Sequence, residues 1–274
     1  MTSREELQRC EVEKHGQGSF HRDICRSGGS IRKMLSKLGT KTFTLFDSEV
    51  WKFFFNPGEV TEVRIPKVLN RGTVSGYFDD HEIFCKEVKK ADKELNHDGI
   101  YFTLQVIDPR LLARAFNRLK VSSLTTSDNN VISYRWLPVD TDPVRPAGIS
   151  SSDSELREAL QLRDEVAVWA MDQLKLPYPI RAMSGNGGHL LFRLPDLHVN
   201  DESKRMIKTT LERFARQFDN EKVNIDTSVF NPGRIWKLYG TNTHKGDVLP
   251  AGPYRESRPH RMSYIENIGG TQND

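Results

Sequence analysis

Two aspartates stand two positions apart at the end of an apolar run, in the stretch WLPVDTDP. Side chains alternate across a β-strand, so Asp140 and Asp142 are expected on one face, roughly 6–7 Å apart along the strand. The apolar residues before them indicate a buried strand, where two unpaired anions would be costly and one would take up a proton. The pattern fits carboxylates that share divalent metal ions, and it fits equally well a turn at the end of a strand.

Composition excludes several classes of protein. The chain has 274 residues, of which 36% are hydrophobic and 28% charged, so we expect a globular protein with one large domain or one domain and a small appendage. Its apolar runs fall short of the roughly 20 residues of a membrane span, and the N-terminus shows no secretory signal. Three scattered cysteines indicate a reducing, cytoplasmic setting. No membrane partner is expected, because no apolar run is long enough to span a membrane. A net charge of +3 permits a polyanionic partner without requiring one.

Local patterns predict a mixture of helices, hairpins and crossovers, and therefore an α+β or mixed α/β fold. Asp108 and Pro109 are expected to begin a helix through residue 119, and Ser152 and Glu155 have capping-box spacing before another. The further predicted helices cover 30–38, 80–95 and 202–218. The predicted strands cover 41–48, 59–68, 99–107, 131–142, two segments within 178–195, and 233–241.

A second motif is the stretch SGNGGHLLFRLP, which begins at Ser184. Asn-Gly between alternating residues predicts a tight turn, formed by Gly185, Asn186 and Gly187. His189 begins the next strand, where its ring and nearby backbone N–H groups could donate to a phosphate. The stretch is not a Walker A loop, because the Gly-Lys-Ser/Thr ending is absent. The plainer interpretation is a glycine turn followed by a structural histidine.

The third motif is NIDTSVFNPGRIWKLYGT. Asp226 stands between apolar residues before an Asn-Pro-Gly turn, and taken alone it is an ordinary turn aspartate. Arg234 and Lys237 lie on the strand that follows, on opposite faces.

Taken in order, the three motifs resemble those of the archaeo-eukaryotic primase superfamily, and most closely its bacterial, plasmid and phage primase-polymerases. Asp-x-Asp comes first, Ser-Gly-x-Gly-x-His second, and an aspartate before a basic strand third. The flanking stretches GYFDD and DPRLLARAFNRL agree, and the resemblance covers about residues 30–265.

The resemblance implies an RRM-like catalytic module at about 126–268, packed against a smaller N-terminal α/β module at about 30–125. Residues 1–29 would be an extension and 269–274 a tail, with the active site in the cleft between the modules.

The resemblance also implies a DNA primase-polymerase site. Asp140, Asp142 and Asp226 would bind two Mg²⁺ or Mn²⁺ ions and carry catalysis. An incoming dNTP or rNTP would be bound by Ser184, Gly185, Asn186, Gly187, His189, Arg234 and Lys237, although only one of the last two is expected to face the cleft.

The implied partners are a single-stranded DNA template and a primer, and further a helicase or a helical C-terminal primase domain. No zinc is expected, because Cys10, His15, His21 and Cys25 match no standard zinc spacing. Template phosphates could meet the basic residues Lys245, Arg255, Arg258 and Arg261, although such a run is as often a solvated face. Tyr134 is a candidate for distinguishing ribose from deoxyribose.

Two alternatives belong to other classes. The chain could be an inactive single-stranded nucleic-acid-binding module of a replication protein, although the intact carboxylates and His189 argue against lost activity. It could also be a metal nuclease or a rolling-circle initiator, but no cluster of a histidine pair with a tyrosine is evident in the sequence.

Overall fold

Residues 42–268 are the part of the chain that the computed structural model describes, and residues 42–267 form one compact unit. Three features of the sequence lie outside this range: the helix predicted for 30–38, the Cys10–Cys25 group with its two histidines, and the tail from 269. Within the described residues, no helix is both long and apolar enough to cross a membrane.

The described chain alternates between strands and helices. In order these are α1 (Ser48–Phe54), β1 (Thr61–Val68), β2 (Gly72–Phe78), α2 (His81–Glu94), β3 (Tyr101–Thr103), β4 (Val106–Ile107), β5 (Lys120–Val121), β6 (Val131–Pro143), α3 (Asp153–Gln173), β7 (Ile180–Met183), β8 (Gly188–His198), α4 (Asp201–Phe218), β9 (Val223–Ile225), β10 (Ile235–Lys237), β11 (Asn242–Thr243), β12 (Arg261–Met262) and β13 (Tyr264–Ile268). Short 3-10 helices cover Pro109–Arg114, Asp128–Asn130 and Thr227–Phe230.

The larger sheet is built around the long strand β6. Its order is β13-β7-β8-β6-β4, and β9 pairs with the far end of β6. The segment β6-α3-β7-β8-α4-β9 has the spatial order β7-β8-β6-β9 with antiparallel neighbours, which is the split β-α-β arrangement of ferredoxin-like and RRM-like modules. Helices α3 and α4 both pack on this sheet. The predicted α+β fold class is confirmed.

A second sheet has the order β10-β3-β1-β2-β5. Strand β10 comes late in the chain but pairs with β3, whereas β4 comes early but pairs with β6. The chain therefore passes between the sheets more than once, and a single module boundary near residue 125 does not describe the strand pairing.

An aromatic cluster joins the two sheets. Phe54 on α1 lies 5.2 Å from Trp136 on β6 and 5.9 Å from Phe102 on β3, measured between ring centroids. The sequence predicts a strand at 41–48, but within the described residues 42–48 only Phe43 makes a bridge, to Ile265, and a helix begins at Ser48. The aromatic residues of α1 favour strands locally, and burial against both sheets overrides that preference.

The strand predicted for 99–107 is interrupted where the chain changes sheets. The side chain of Gln105 replaces strand pairing there: its Oε1 accepts from the backbone N–H groups of Arg135 and Trp136 at 2.8 and 3.1 Å, and its Nε2 donates to the Trp136 carbonyl at 2.9 Å. One side chain thus satisfies buried backbone groups of β6 that a continuous strand would have paired.

The helices predicted for 80–95 and 202–218 are confirmed as α2 and α4 to within one residue at each end, and the two predicted helix caps are confirmed as well. Ser152 and Glu155 form the capping box of α3, and Asp108 accepts from the backbone N–H of Arg110 at 2.9 Å. The helix after Asp108 ends at Arg114 as a 3-10 helix, because the chain then pairs with β2 through Tyr77. Similarly, only Ile235–Lys237 of the strand predicted for 233–241 pairs as a strand.

Arg135 ties β6 to the neighbouring segments. Its guanidinium, 4% exposed, donates to both Glu59 oxygens and to both Asp196 oxygens, and also to the Phe54 carbonyl at 3.3 Å. These contacts tie the segment that precedes β1 and the end of β8 to β6. The two carboxylates raise the pKa of Arg135 above its usual range against the opposing effect of burial.

Replacing Arg135 with methionine should lower the free energy of unfolding by about 2–3 kcal/mol, because a buried ion-pair network loses its centre while its partly exposed carboxylates regain some hydration. Urea denaturation followed by circular dichroism measures the change. The control is Lys52→Met, since the Lys52–Glu49 pair is exposed on both sides and should contribute little. Equal effects of the two substitutions would contradict the proposed importance of Arg135.

Candidate functional site

The strand pairing brings the three predicted aspartates to one wall of a cleft. Asp140 and Asp142 lie on β6, and β9 pairs with β6 so that Thr141 faces Ile225. Asp226 follows directly, and its backbone N–H donates to the Asp140 carbonyl at 2.9 Å. Its side chain accepts from the Ser228 N–H at 2.8 Å and so caps the 3-10 helix. All three residues line a cleft of about 900 Å³, a volume typical of ligand sites.

Burial, and then the charges of Asp142 and Asp226, raise the pKa of Asp140 to about 8, with Lys245 and Arg145 opposing the shift. The Asp140 side chain is 28% exposed, so it remains open to the cleft. Asp142 is half exposed and pairs with Arg145 at 2.8 Å. Asp140 therefore tends to keep a proton near neutral pH unless a cation replaces it.

The donor set fits a divalent ion that brings other ligands with it. Carboxylate oxygens are hard donors, and Mg²⁺ usually takes one or two of them together with waters and substrate phosphates. Among residues 42–268, no three carboxylate, imidazole or thiol side chains already converge as a ready-made metal site. The three aspartates line the cleft without forming such a cluster.

His189 stands opposite Asp140 in the register of β6 and β8. Its Nε2 lies 3.5 Å from Asp140 Oδ1, and its ring centroid lies 4.1 Å from that of Trp236. Burial, followed by the charges of Arg163 and Lys237, lowers the pKa of His189 to about 3. The imidazole is therefore neutral at physiological pH, which suits a hydrogen-bonding role.

The glycine turn before His189 is confirmed between β7 and β8. Ser184 and Gly187 bond to each other, with the Gly187 N–H donating to Ser184 Oγ at 3.0 Å. Gly185 has φ +113°, and a Cβ on Gly187 would lie 2.4 Å from the Thr141 carbonyl oxygen. The glycines thus allow the turn to approach β6, and among the described residues Ser184 and Asn186 are the members of the turn that line the cleft.

Asn186 is committed to the protein itself. Its Oδ1 accepts from Ser150 Oγ at 2.8 Å and from the Ser151 N–H at 2.9 Å, and its Nδ2 donates to the Lys245 carbonyl at 3.1 Å. The amide therefore fixes the segments on two sides of the turn. Its predicted nucleotide contact stays a prediction, while its positioning role is visible in the structure.

Arg234 and Lys237 both line the cleft, although opposite faces were expected. Arg234 precedes the first residue of β10, so strand alternation does not relate the two side chains. Arg234 Nη2 donates to the Ser228 carbonyl at 2.9 Å. Lys237 is 4% exposed and donates to Thr241 Oγ1 and the Asn242 carbonyl. Burial lowers its pKa to about 7, with Asp92 opposing the shift.

Several cleft residues were missed by sequence reasoning. Lys67, Asp98, Tyr101 and Arg145 join the wall from connections outside the three motifs. The positive φ of 54° at Lys67 marks an irregular end of β1 that no local sequence signal reveals. The ionisable groups of the cleft, His189 and Tyr101 aside, are the carboxylates of Asp98, Asp140, Asp142 and Asp226 and the cations of Lys67, Arg145, Arg234, Lys237 and Lys245.

The basic C-terminal stretch is largely occupied by structural contacts. Arg258 forms a two-pronged pair with Glu155 at 2.6 and 2.7 Å, and Arg261 pairs with Asp153 at 2.6 Å. Of the four cations considered there, Lys245 is the one that lines the cleft in the described chain. These pairs make Arg258 and Arg261 structural residues rather than free phosphate ligands.

Tyr134, a candidate for sugar discrimination, lies away from the cleft wall. It is 1% exposed, and its hydroxyl donates to the Phe230 carbonyl at 2.7 Å. Tyr101, which lines the cleft, is the better placed tyrosine.

Comparison of the sequence and the structure with known proteins finds limited similarity. No known family and no curated protein matches the sequence. Among solved structures, the polymerase domain from Mycobacterium tuberculosis Ligase D, in complex with DNA, is similar with a TM-score of 0.41 and 13% identity, over 72% of this chain and 73% of that one.

The raised pKa of Asp140 predicts a pH-dependent effect of Asp140→Asn on stability. Because the folded protein holds the Asp140 proton more tightly than the unfolded chain does, the stabilisation is complete below the ordinary pKa of 3.8 and is lost as pH rises through about 8. The variant should therefore gain stability relative to wild type across that interval.

Urea denaturation in EDTA at several pH values measures this difference. Asp172→Asn is the control, because Asp172 is 67% exposed on α3 and its replacement should leave the pH dependence unchanged. A difference between Asp140→Asn and wild type that is constant with pH would contradict the electrostatic account of the carboxylate wall.

Proposed function

We propose that the protein is a template-directed nucleotidyltransferase, a DNA primase-polymerase that makes primers, extends them, or does both on single-stranded DNA. The supporting observation is the meeting of Asp140, Asp142 and Asp226 on one wall of a cleft, beside a neutral His189. The Asp140–Asp142 pair, His189 and Asp226 are at least 37 positions apart in the sequence, and the strands that pair with β6 bring them to one place.

In the proposed reaction, the primer 3′-oxygen attacks the α-phosphorus of a nucleoside triphosphate, and pyrophosphate leaves. Asp140, Asp142 and Asp226 would hold two Mg²⁺ or Mn²⁺ ions, which supply charge neutralisation and lower the pKa of the 3′-hydroxyl. The cleft cations Arg234, Lys237 and Lys245 would face the negative charge of the triphosphate, where fixed positive groups stabilise the developing charge. The glycine turn between β7 and β8 would hold His189 against the phosphates.

The proposed substrates are dNTPs or rNTPs with a single-stranded template and a primer, in plasmid, phage or mobile-element replication in the cytoplasm. A helicase or a helical primase domain is the further partner that this role suggests. The mixed charge of the cleft supports an anionic substrate bound together with metal, because the carboxylates alone would repel a triphosphate.

The main alternative is a nucleic-acid-binding module without activity. Its advantage is simplicity, since the cations of the cleft could bind the phosphates of a strand without any catalytic step. The raised pKa of Asp140 argues for catalysis, because placing this carboxyl group in the cleft beside the charges of Asp142 and Asp226 is unfavourable and a binding module would gain nothing from it.

Primer extension tests the proposal. Wild-type protein with Mn²⁺ or Mg²⁺ should extend a labelled primer on a single-stranded template, and EDTA should stop it. Asp140→Asn and Asp226→Asn should each lower the rate roughly 100-fold or more, because charge stabilisation by the ions is worth several kcal/mol. Asp172→Asn, outside the cleft, should retain wild-type activity.

A parallel reaction without primer separates priming from extension. Retained strand binding, measured by fluorescence anisotropy, without incorporation under either metal would support the inactive module instead. Cleavage of the single strand in the absence of nucleotides would support a nuclease.

A further inference from the structure

A buried hydrogen-bonded chain ends at the carboxylate wall of the cleft. Trp236 Nε1 lies 2.8 Å from the Tyr239 hydroxyl oxygen, and the same hydroxyl lies 2.9 Å from His189 Nδ1. The three side chains are between 0 and 4% exposed, so the protein rather than solvent determines their hydrogen bonds. The other ring nitrogen, His189 Nε2, lies 3.5 Å from Asp140 Oδ1 at the cleft.

The donors in this chain can be assigned from chemistry. An indole N–H only donates, so the Tyr239 oxygen accepts from Trp236. If His189 Nδ1 carried a proton and also donated to that oxygen, the hydroxyl proton would have no acceptor, because residues 42–268 give the Tyr239 hydroxyl no hydrogen-bond partner besides these two. A buried hydroxyl proton without an acceptor is unfavourable. The hydroxyl therefore donates to Nδ1, and the ring proton lies on Nε2.

We propose that Tyr239 is a positioning residue, which holds His189 in the Nε2–H tautomer so that the nitrogen facing the cleft donates to a phosphate oxygen of the incoming nucleotide. This proposal rests on the proposed function of the cleft. In that tautomer Nε2 has no lone pair for a metal, so His189 binds phosphate and the divalent ions are left to the aspartates.

The tautomer can be measured without any substrate. In protein labelled with ¹⁵N-histidine, two-bond ¹H–¹⁵N correlation spectra distinguish the protonated ring nitrogen from the unprotonated one, and His189→Gln identifies the signal. Wild type should show Nε2 protonated. Tyr239→Phe removes the donor to Nδ1 and should produce a mixture of the two tautomers.

The matched control is Tyr77→Phe. Tyr77 is also a buried tyrosine, 1% exposed, and its hydroxyl accepts from Arg114 and Thr126 on the other sheet. Its replacement should leave the His189 signal unchanged, which separates loss of a buried hydroxyl from loss of this particular contact. Thermal unfolding of both variants confirms that folded protein is compared.

Steady-state kinetics then test the link to phosphate. If half to nine-tenths of His189 leaves the competent tautomer, Tyr239→Phe should raise the nucleotide KM about two- to tenfold, with a smaller change in kcat. A tautomer change with an unaltered KM would overturn the phosphate contact.

Other outcomes are equally decisive. A spectrum of the wild type in which His189 Nδ1 carries the proton would overturn the proposal. This measurement does not depend on the folding of any variant. A Tyr239→Phe spectrum identical to that of wild type would also overturn it. If wild type and Tyr239→Phe show the expected tautomers but the protein incorporates no nucleotide, the positioning role of Tyr239 is retained and the proposed function is rejected.

Discussion

The antiparallel pairing of β6 with β8 and β9 is the constraint on which the cleft depends. One register places His189 opposite Asp140, and the other brings the backbone N–H of Asp226 to the Asp140 carbonyl. A slip of one residue in either pairing would turn the functional side chains to the opposite face. The glycine turn permits the first register, because a side chain at position 187 would collide with the backbone of β6.

Gathering carboxylates in this way is unfavourable for the metal-free protein. The fold offsets part of the repulsion with Arg145, which pairs with Asp142, and with Lys245, whose charge favours ionised Asp140. It does not remove the unfavourable energy, because burial and then the charges of Asp142 and Asp226 still raise the pKa of Asp140. Residual electrostatic strain of this kind is common where a binding site is arranged for a charged ligand, since the ligand relieves it.

Local chemistry made much of this predictable from sequence, and long-range packing made the rest unpredictable. The alternation that pairs Asp140 with Asp142, the turn before His189 and the capping box of α3 each depend on residues a few positions apart. By contrast, α1 is a helix because both sheets bury its aromatic face, and the strand before Gln105 breaks because the chain changes sheets there. Lys67 and Arg145 reach the cleft from connections whose positions only the assembled sheets determine.

The cleft requires both sheets at once. The aspartates and His189 belong to the sheet of β6, whereas Trp236 and Lys237 belong to β10, which pairs with β3 in the other sheet. The ring of Trp236 covers His189, and its indole N–H fixes the hydroxyl of Tyr239. His189 is 4% exposed where the two sheets meet, and this burial is the main cause of its lowered pKa and of the neutral state of the imidazole. Loosening the junction between the sheets would admit water, remove the burial that lowers the His189 pKa, and alter the site without touching any cleft residue.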